Sequence, residues 1–240
     1  MSAQRLVLLC GRTVRSSVYV QALANLNIVP DAILVYGDGG GKVQSTRQVQ
    51  GVMVDDLFTP DPCWELADCL DELGWPYQVC SAHSLSDPAL LVMLESMRPE
   101  LVVYSGYAGQ LVPAELLRCY SVLHVHSGWL PEYRGSTTLY YQIIEQGGCA
   151  ASALLLDERI DTGPILARKH YPLPPAGTDV DYLYDNMIRA DLLVTVLAQW
   201  RSGLPWDRMS QQMDSPPYFI IHPLLKHMAL LAIDKQERSS

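Results

Sequence analysis

His124-Val125-His126-Ser127-Gly128-Trp129-Leu130-Pro131-Glu132-Tyr133-Arg134-Gly135 closes an apolar run and breaks into a loop punctuated by Gly128, Pro131 and Gly135, with a helical pattern resuming at Thr137. Side chains alternate along a strand, so two histidines one residue apart share a face wherever the strand runs through both. If it continues through Val125, His124 and His126 address one pocket; if it ends between them, that relation is lost. Read by itself, the stretch is a strand end whose histidines are satisfied by backbone or water.

Working outward, the elements around this stretch alternate. Leu6 to Leu9 reads as a buried strand turning at Cys10-Gly11. Thr13 to Asn25 carries helix-compatible apolar positions, and Ala32 to Tyr36 is a second strand. Strand, helix and strand at this spacing predict a βαβ unit and an α/β fold with a parallel sheet. Helices are expected over Pro62 to Leu73, Asp87 to Met97, a short piece at Pro113, Thr137 to Gln146 and Thr178 to Ser202. Strands are expected over Tyr77 to Cys80, Leu101 to Tyr104, Ser121 to Val125, Ala153 to Leu156 and Ile165 to Pro172. Pro62 and Asp87-Pro88 suit helix starts, and Ser136 or Thr137 is placed to cap its helix. The glycine run Gly37-Asp38-Gly39-Gly40-Gly41 lacks a Gly-Lys-Ser/Thr ending, and Gly11 lacks a Gly-x-Gly-x-x-Gly frame, so both read as turns rather than phosphate cradles. From Leu204 the chain turns irregular, then resumes an apolar pattern over Tyr218 to Ile233, strand-like and then helical.

Composition narrows the function. With 240 residues, 49% hydrophobic and 18% charged, the chain suits one globular domain with a small appendage. A net charge of −9 with scattered Lys and Arg argues against a nucleic-acid surface, which needs concentrated cations. Cys10, Cys63, Cys69, Cys80, Cys119 and Cys149 show no paired metal-ligand spacing and read as buried thiols of a reducing compartment, Cys119 and Cys149 as core. Without a signal-like start or a long apolar run, the expected location is cytoplasmic, with no membrane partner.

A second stretch, Asp157-Glu158-Arg159-Ile160-Asp161-Thr162-Gly163-Pro164-Ile165, closes another apolar run with an acidic turn. Together the two stretches resemble the 10-formyltetrahydrofolate-dependent formyltransferase family, which includes glycinamide ribonucleotide, methionyl-tRNA and sugar N-formyltransferases. That family carries Asn-x-His-x-Ser-Leu-Leu-Pro-x-x-x-Gly and a later Asp-x-Gly. His126 and Asp161 match the family's catalytic histidine and aspartate, and Leu130-Pro131 through Gly135 keeps the loop. Gly128 and Trp129 replace the serine and first leucine, and His124 replaces the asparagine. The resemblance covers roughly residues 1 to 203 and implies a doubly wound, mostly parallel Rossmann-type sheet for that catalytic domain. Residues 204–240 are then a short C-terminal extension packed on it, too few for the separate tRNA-binding domain of the methionyl-tRNA enzymes.

The resemblance implies transfer of a formyl group from the co-substrate 10-formyltetrahydrofolate to a primary amine of a small molecule, an amino sugar or an amino-acid-derived metabolite, through a tetrahedral oxyanion. Nucleic acid is not expected as a partner, and a homodimer is admitted. His126 would serve as acid/base and oxyanion contact, Asp161 as its electrostatic partner and proton relay, and His124 as the replacement oxyanion donor. Successive strand ends of a parallel sheet lie at one edge, which is the expected reason for His126 and Asp161 to meet. By the same resemblance the folate lies against Tyr107, Ala108, Gly109 and Leu111, held largely by main chain, with Leu130, Leu156 and Glu158 completing its site. Tyr133 and Arg134 read equally as a grip on an anionic tail or as solvent-facing residues, Trp129 as a loop anchor, and His170, His222 and His227 as structural. A folate hydrolase, in which water replaces the amine, stays open; the Asn-to-His change also allows a non-catalytic folate or metabolite binder, and behind these stands a His-His-Asp metal site.

Overall fold

The computed structural model describes residues 5–37, 57–212 and 216–236. Of the glycine run at Gly37–Gly41, all but Gly37 lies outside these residues. The chain forms β1 (Leu6–Gly11), α1 (Val14–Asn25), β2 (Ala32–Tyr36), α2 (Leu66–Glu72), β3 (Gln78–Cys80), α3 (Pro88–Met97), β4 (Leu101–Ser105) and α4 (Ala114–Cys119). It continues with β5 (Ser121–Ser127), α5 (Thr138–Gln146), β6 (Cys149–Leu155), β7 (Ile165–Tyr171), a π-helical turn (Val180–Tyr184) running into α6 (Asp185–Arg201), and α7 (Pro223–Gln236).

The seven strands lie in the order β3-β2-β1-β4-β5-β6-β7. β1 pairs in parallel with both β2 and β4, and β4 with β5, as the βαβ spacing predicts. Alternation along β1 splits the core: Leu6, Leu8 and Cys10 join α1 and α6 on one face, while Val7 and Leu9 join α3 and α4 on the other. Each fully buried leucine contributes roughly 1.5–3 kcal/mol, which explains why these strands read as unbroken apolar runs. The chain leaves β1 toward β2 and β3, then returns to the other side of β1 as β4. Strand order reverses there, and that opens a crevice at the carboxyl ends of β1 and β4.

Local chemistry sets the helix starts, with three departures from expectation. Thr13 caps α1 by accepting the Ser16 N–H, and Asp87 caps α3 by accepting the Ala89 N–H ahead of Pro88. α2 begins at Leu66 rather than at Pro62. Asp61 accepts the Cys63 N–H and is gripped through its backbone by Gln21, so residues 62–65 are held in a turn. Thr178 and Asp179 precede a π-turn rather than opening the long helix. Thr137 does not cap α5 through its side chain; it adopts a left-handed φ of 52°, and its hydroxyl accepts the Ile221 N–H at 2.8 Å. With Ser136 N–H on Tyr218 O and Tyr218 N–H on Arg134 O, that bond ties residues 218–221 to the loop after β5.

β6 and β7 are antiparallel to their neighbours: His126 stands opposite Ser152, and Leu123 opposite Leu155. The end of β6 therefore lies at the start of β5, not beside its end, and the common-edge reason for a His126–Asp161 meeting does not hold. The turn after β6 has to return about 10 Å along β5, three residues at strand rise, to reach His126.

The cysteines divide. Cys10, Cys69, Cys80 and Cys149 are buried, but Cys63 and Cys119 are exposed, which corrects the buried reading of Cys63 and the core reading of Cys119. Burial pushes the Cys10 thiol up to about 12 and the Cys69 thiol up to about 11, so neither supplies thiolate at neutral pH. Iodoacetamide on the folded protein is therefore expected to add two groups by intact mass, at Cys63 and Cys119, and six in urea; modification of Cys10 or Cys149 under native conditions would contradict this packing.

Candidate active site

β5 runs unbroken through Ser127, so His124 and His126 do face the same side. His126 is 4% exposed. Its Nε2 lies 2.7 Å from Tyr133 O and 3.0 Å from Thr138 Oγ1. A carbonyl only accepts, so Nε2 carries the hydrogen. Nδ1 lies 3.4 Å from Asp161 Oδ2. A doubly protonated ring satisfies both sides, whereas a neutral one turns its Nδ1 lone pair toward a carboxylate.

Asp161 is 8% exposed and reaches the histidine through a left-handed turn, φ 53°. Its Oδ2 also accepts the Gly135 N–H at 3.1 Å, so one carboxylate joins both motifs. Two glycines make the approach sterically available. A β-carbon at Gly163 would stand 1.8 Å from Leu155 O, so the turn closes only without a side chain. At Gly128, φ 138°, a β-carbon would meet Tyr133 O at 2.9 Å and His126 Nε2 at 3.0 Å. The small residue in place of the family's serine thus lets the loop fold onto the imidazole. Gln211 holds the turn from outside, donating to Asp161 O at 3.1 Å and to Gly163 O at 2.6 Å.

Beneath β5 lies Arg189 of α6. It donates to Asp185 Oδ2 at 2.8 Å, to Val125 O at 2.5 Å and to Ser127 Oγ at 2.7 Å, bracketing His126 on both sides. Burial disfavours its charge, but Asp185, Tyr19 and Asp161 together outweigh this and raise its pKa. Sequence reasoning missed Arg189. Its signal was a lone arginine inside an apolar helix, four residues after Asp185, a spacing that puts the two on one face. Arg15, Thr138 and Gln211 were missed as well, and no local pattern marks them.

His124 is half-buried, its ring centroid 6.1 Å from that of Tyr104. Burial, reinforced by the Arg189 and Arg15 charges, holds its pKa well below the ordinary 6.5, with the Tyr104 backbone acting the other way. The ring is therefore neutral at neutral pH, and its Nδ1 has no partner among the described residues. The described residues contain no group of three or more His, Cys, Asp or Glu arranged to hold a metal ion.

The segment after β4 is pinned by its own glutamine: Tyr36 Oη donates to Gln110 Oε1 at 2.6 Å, and Tyr107 Oη donates to Tyr36 O at 3.2 Å. Tyr107 and Leu156 pack against the same apolar cluster around Tyr104 and Val122, and Leu130 joins Leu154 and Ile165 with Leu156 alongside. Ala108, Gly109 and Leu111 are exposed. Glu158 stands apart from the buried pair, in an exposed 3.9 Å ion pair with Arg118. Tyr133 is neither solvent-facing nor a free grip; it is 3% exposed, stacks on Tyr218 and donates to Glu145 Oε2. Trp129 anchors the loop, stacked on His170 at 4.0 Å with the Arg168 guanidinium 4.2 Å from its ring centroid. A cavity of about 670 Å³ fills the crevice at the ends of β1 and β4, between Arg12, Arg15, Trp64, Gly106, Tyr107 and Asp185.

A sheet whose order reverses beside such a cavity defines a Rossmann-type α/β domain with its ligand crevice at the reversal. The chain belongs to the formyl transferase family, whose model matches residues 5–197. It is 31% identical over 170 residues to a methionyl-tRNA formyltransferase of Pelobacter propionicus, covering 70% of this chain and 50% of that one. It is 29% identical over 170 residues to that of Trichlorobacter lovleyi, covering 70% and 51%. The chain thus spans about half the length of the curated relatives it matches. Its fold is similar to that of a sugar N-formyltransferase from Shewanella sp. (TM-score 0.57, 18% identity, 96% of this chain and 88% of that one). It is also similar to that of glycinamide ribonucleotide transformylase 1 from Symbiobacterium toebii (TM-score 0.59, 15% identity, 88% and 94%).

The state of His124 has a measurable consequence. Its folded pKa is depressed below 6.5, so the folded ring stays neutral while the unfolded chain takes up a proton as pH falls. The stability this contributes is complete above pH 6.5 and is lost below it, at up to about 1.4 kcal/mol per pH unit. Urea unfolding at pH 7.5 and 5.5 should show His124→Asn losing about 1 kcal/mol less than the wild type on acidification. Equal losses would mean that His124 ionises normally.

Proposed function

We propose that this chain transfers the formyl group of 10-formyltetrahydrofolate to a primary amine on a small molecule. The observation that carries this reading is the buried His126–Asp161 pair, joined at 3.4 Å and closed over by the loop after β5. The folate would lie against the Tyr107–Leu111 segment and the apolar wall of Leu130 and Leu156. The main chain of that segment is held in place by Gln110, and the wall is fully apolar, as a fused-ring ligand requires.

The amine nitrogen attacks the formyl carbon, the bond from that carbon to the folate nitrogen breaks, and one amine proton ends on the departing nitrogen. Charge develops on the formyl oxygen and on the amine. The imidazole of His126 is the group that would meet the first need, and the Asp161 carboxylate beside it would receive the amine proton and return it to the leaving nitrogen. Their 3.4 Å separation is longer than the 2.7–2.9 Å typical of a charge-assisted hydrogen bond, which leaves the pair adjustable when substrate enters. His124, neutral and half-buried, would serve as a hydrogen-bonding group beside them rather than as a cation.

A small acceptor is supported by the cavity, about 670 Å³ and inside the roughly 300–1,000 Å³ range of small-molecule sites. The net charge of −9 points the same way, since it disfavours a polyanion such as tRNA. The described residues contain no helix long and apolar enough to cross a membrane.

The test incubates the protein with 10-formyltetrahydrofolate and separate acceptors: amino sugars linked to nucleotides, amino acids and methionyl-tRNA. Tetrahydrofolate release is followed together with the mass of one added formyl group. A small amine should be formylated, and His126→Ala or Asp161→Asn should lower kcat on the order of 10²–10⁴-fold with folate affinity kept. Formylated tRNA alone would displace the small-molecule reading. Formate release without any formylated amine would make the chain a hydrolase, and folate binding without turnover would make it a binder.

A further inference from the structure

The sheet face that carries His126 continues past it. His126 stands opposite Ser152 in the β5–β6 ladder, and Ser152 opposite Arg168 in the β6–β7 ladder. Paired residues of antiparallel strands point to the same side, so the three side chains form one row. Each serves the main chain of the loop after β5. His126 Nε2 meets Tyr133 O at 2.7 Å. Ser152 Oγ accepts the Leu130 N–H at 3.0 Å and donates to Gly128 O at 2.7 Å. Arg168 Nη1 donates to Leu130 O at 2.7 Å. Ser152 and Leu130 are fully buried, and backbone groups so enclosed are costly when unpaired. Side chains of β6 and β7 supply the partners that a strand ladder would.

The next row on this face holds Ala150 and His170, with the Gly128 N–H on Ala150 O at 2.8 Å. Trp129 lies between the two rows. The His170 ring stacks on it at 4.0 Å, and the Arg168 guanidinium stands 4.2 Å from its centroid. Residues two apart on a strand are separated by roughly 7 Å, about twice a stacking distance. The indole therefore slots between them, with one group against each face. From α5, Gln142 Oε1 accepts the Trp129 N–H at 3.2 Å. The leucine that the family carries here has no π face to hold a guanidinium, so this grip goes with the Trp129 departure.

The grip places two neighbours. Leu130 packs on Leu154 and Ile165, with Leu156 alongside. Gly128 lies so close to the imidazole that a β-carbon there would stand 3.0 Å from His126 Nε2. We propose that Arg168 and Ser152 are positioning residues of the formyl-transfer site, with Trp129 as the part they hold. They fix residues 128–130 where Leu130 walls the folate and Gly128 backs His126. This rests on the formyl-transfer reading above.

The test uses the full chain carrying fluorotryptophan at its five tryptophans, followed by fluorine NMR, with the Trp129 signal assigned by Trp129→Phe. Tetrahydrofolate affinity is measured alongside by calorimetry. Arg168→Ala should move the Trp129 signal and weaken tetrahydrofolate about tenfold or more. Arg168→Lys keeps a cation and a donor and should recover most of both effects. Ser152→Ala should move the same signal without touching the indole directly. Arg201→Ala is the control: Arg201 pairs with Asp31 and lies over Trp200, so its loss should move only the Trp200 signal and leave affinity unchanged. Should Arg168→Ala fail to fold by circular dichroism, Arg168→Gln takes its place, keeping an N–H donor and losing the cation, with a smaller loss of the same kind. An unmoved Trp129 signal, or an unchanged affinity beside a moved one, would overturn the proposal. A wild type that binds no tetrahydrofolate, yet whose Trp129 signal responds to Arg168, would leave the clamp standing and remove the formyl-transfer reading.

Discussion

The buried guanidinium of Arg189 is the constraint on which the rest of the site depends. It holds Asp185 on its own helix, the carbonyl of Val125 and the hydroxyl of Ser127, and so fixes α6 against the last turn of β5. His126 lies between the two residues it grips. A strand end has carbonyls without ladder partners, and burying them without donors would cost free energy comparable to lost hydrogen bonds. One arginine supplies those donors and has its charge balanced by Asp185. The same helix carries Asp185 into the cavity wall, so the placement of the buried histidine and the shape of the crevice are set together.

Around that clamp the site is built from groups used twice. Asp161 Oδ2 serves both His126 and the Gly135 N–H, while Tyr133 supplies its carbonyl to His126 and its ring to Tyr218. Tyr218 in turn bonds residues 134 and 136 through its main chain. The segment after residue 217 therefore buttresses the loop rather than merely following it. Substitutions near Tyr218 should be felt at His126 through this chain of contacts, since shared partners make effects non-additive.

The His124 position shows how one substitution redistributes polarity. An asparagine there would be uncharged at every pH. The imidazole brings a titratable group into a place where burial, Arg189 and Arg15 all oppose its protonation. The fold resolves the conflict by keeping the ring neutral, which preserves a hydrogen-bonding group without adding a third positive charge. Among the described residues its Nδ1, the Arg15 Nε and the Tyr19 hydroxyl are left without hydrogen-bond partners.

Much of this was legible in the sequence. Apolar runs with period-2 and helical spacing located the strands and most helices, because burial imposes those periods directly. Two short motifs marked His126 and Asp161, whose chemistry depends on residue type. The direction of β6 was not legible: a short turn between apolar runs serves antiparallel pairing, and strand direction depends on partners far along the chain. The meeting of His126 and Asp161 was thus foreseen for a reason that the sheet does not obey. Nor could the sequence reveal that Thr137 bonds Ile221 instead of capping its helix, or that Cys119 faces solvent. Residue identity and local spacing by themselves determined which elements form and which groups are able to react. Only the tertiary structure decided which polar groups find partners, because a hydrogen bond or an ion pair requires atoms from distant parts of the chain to come within about 3 Å.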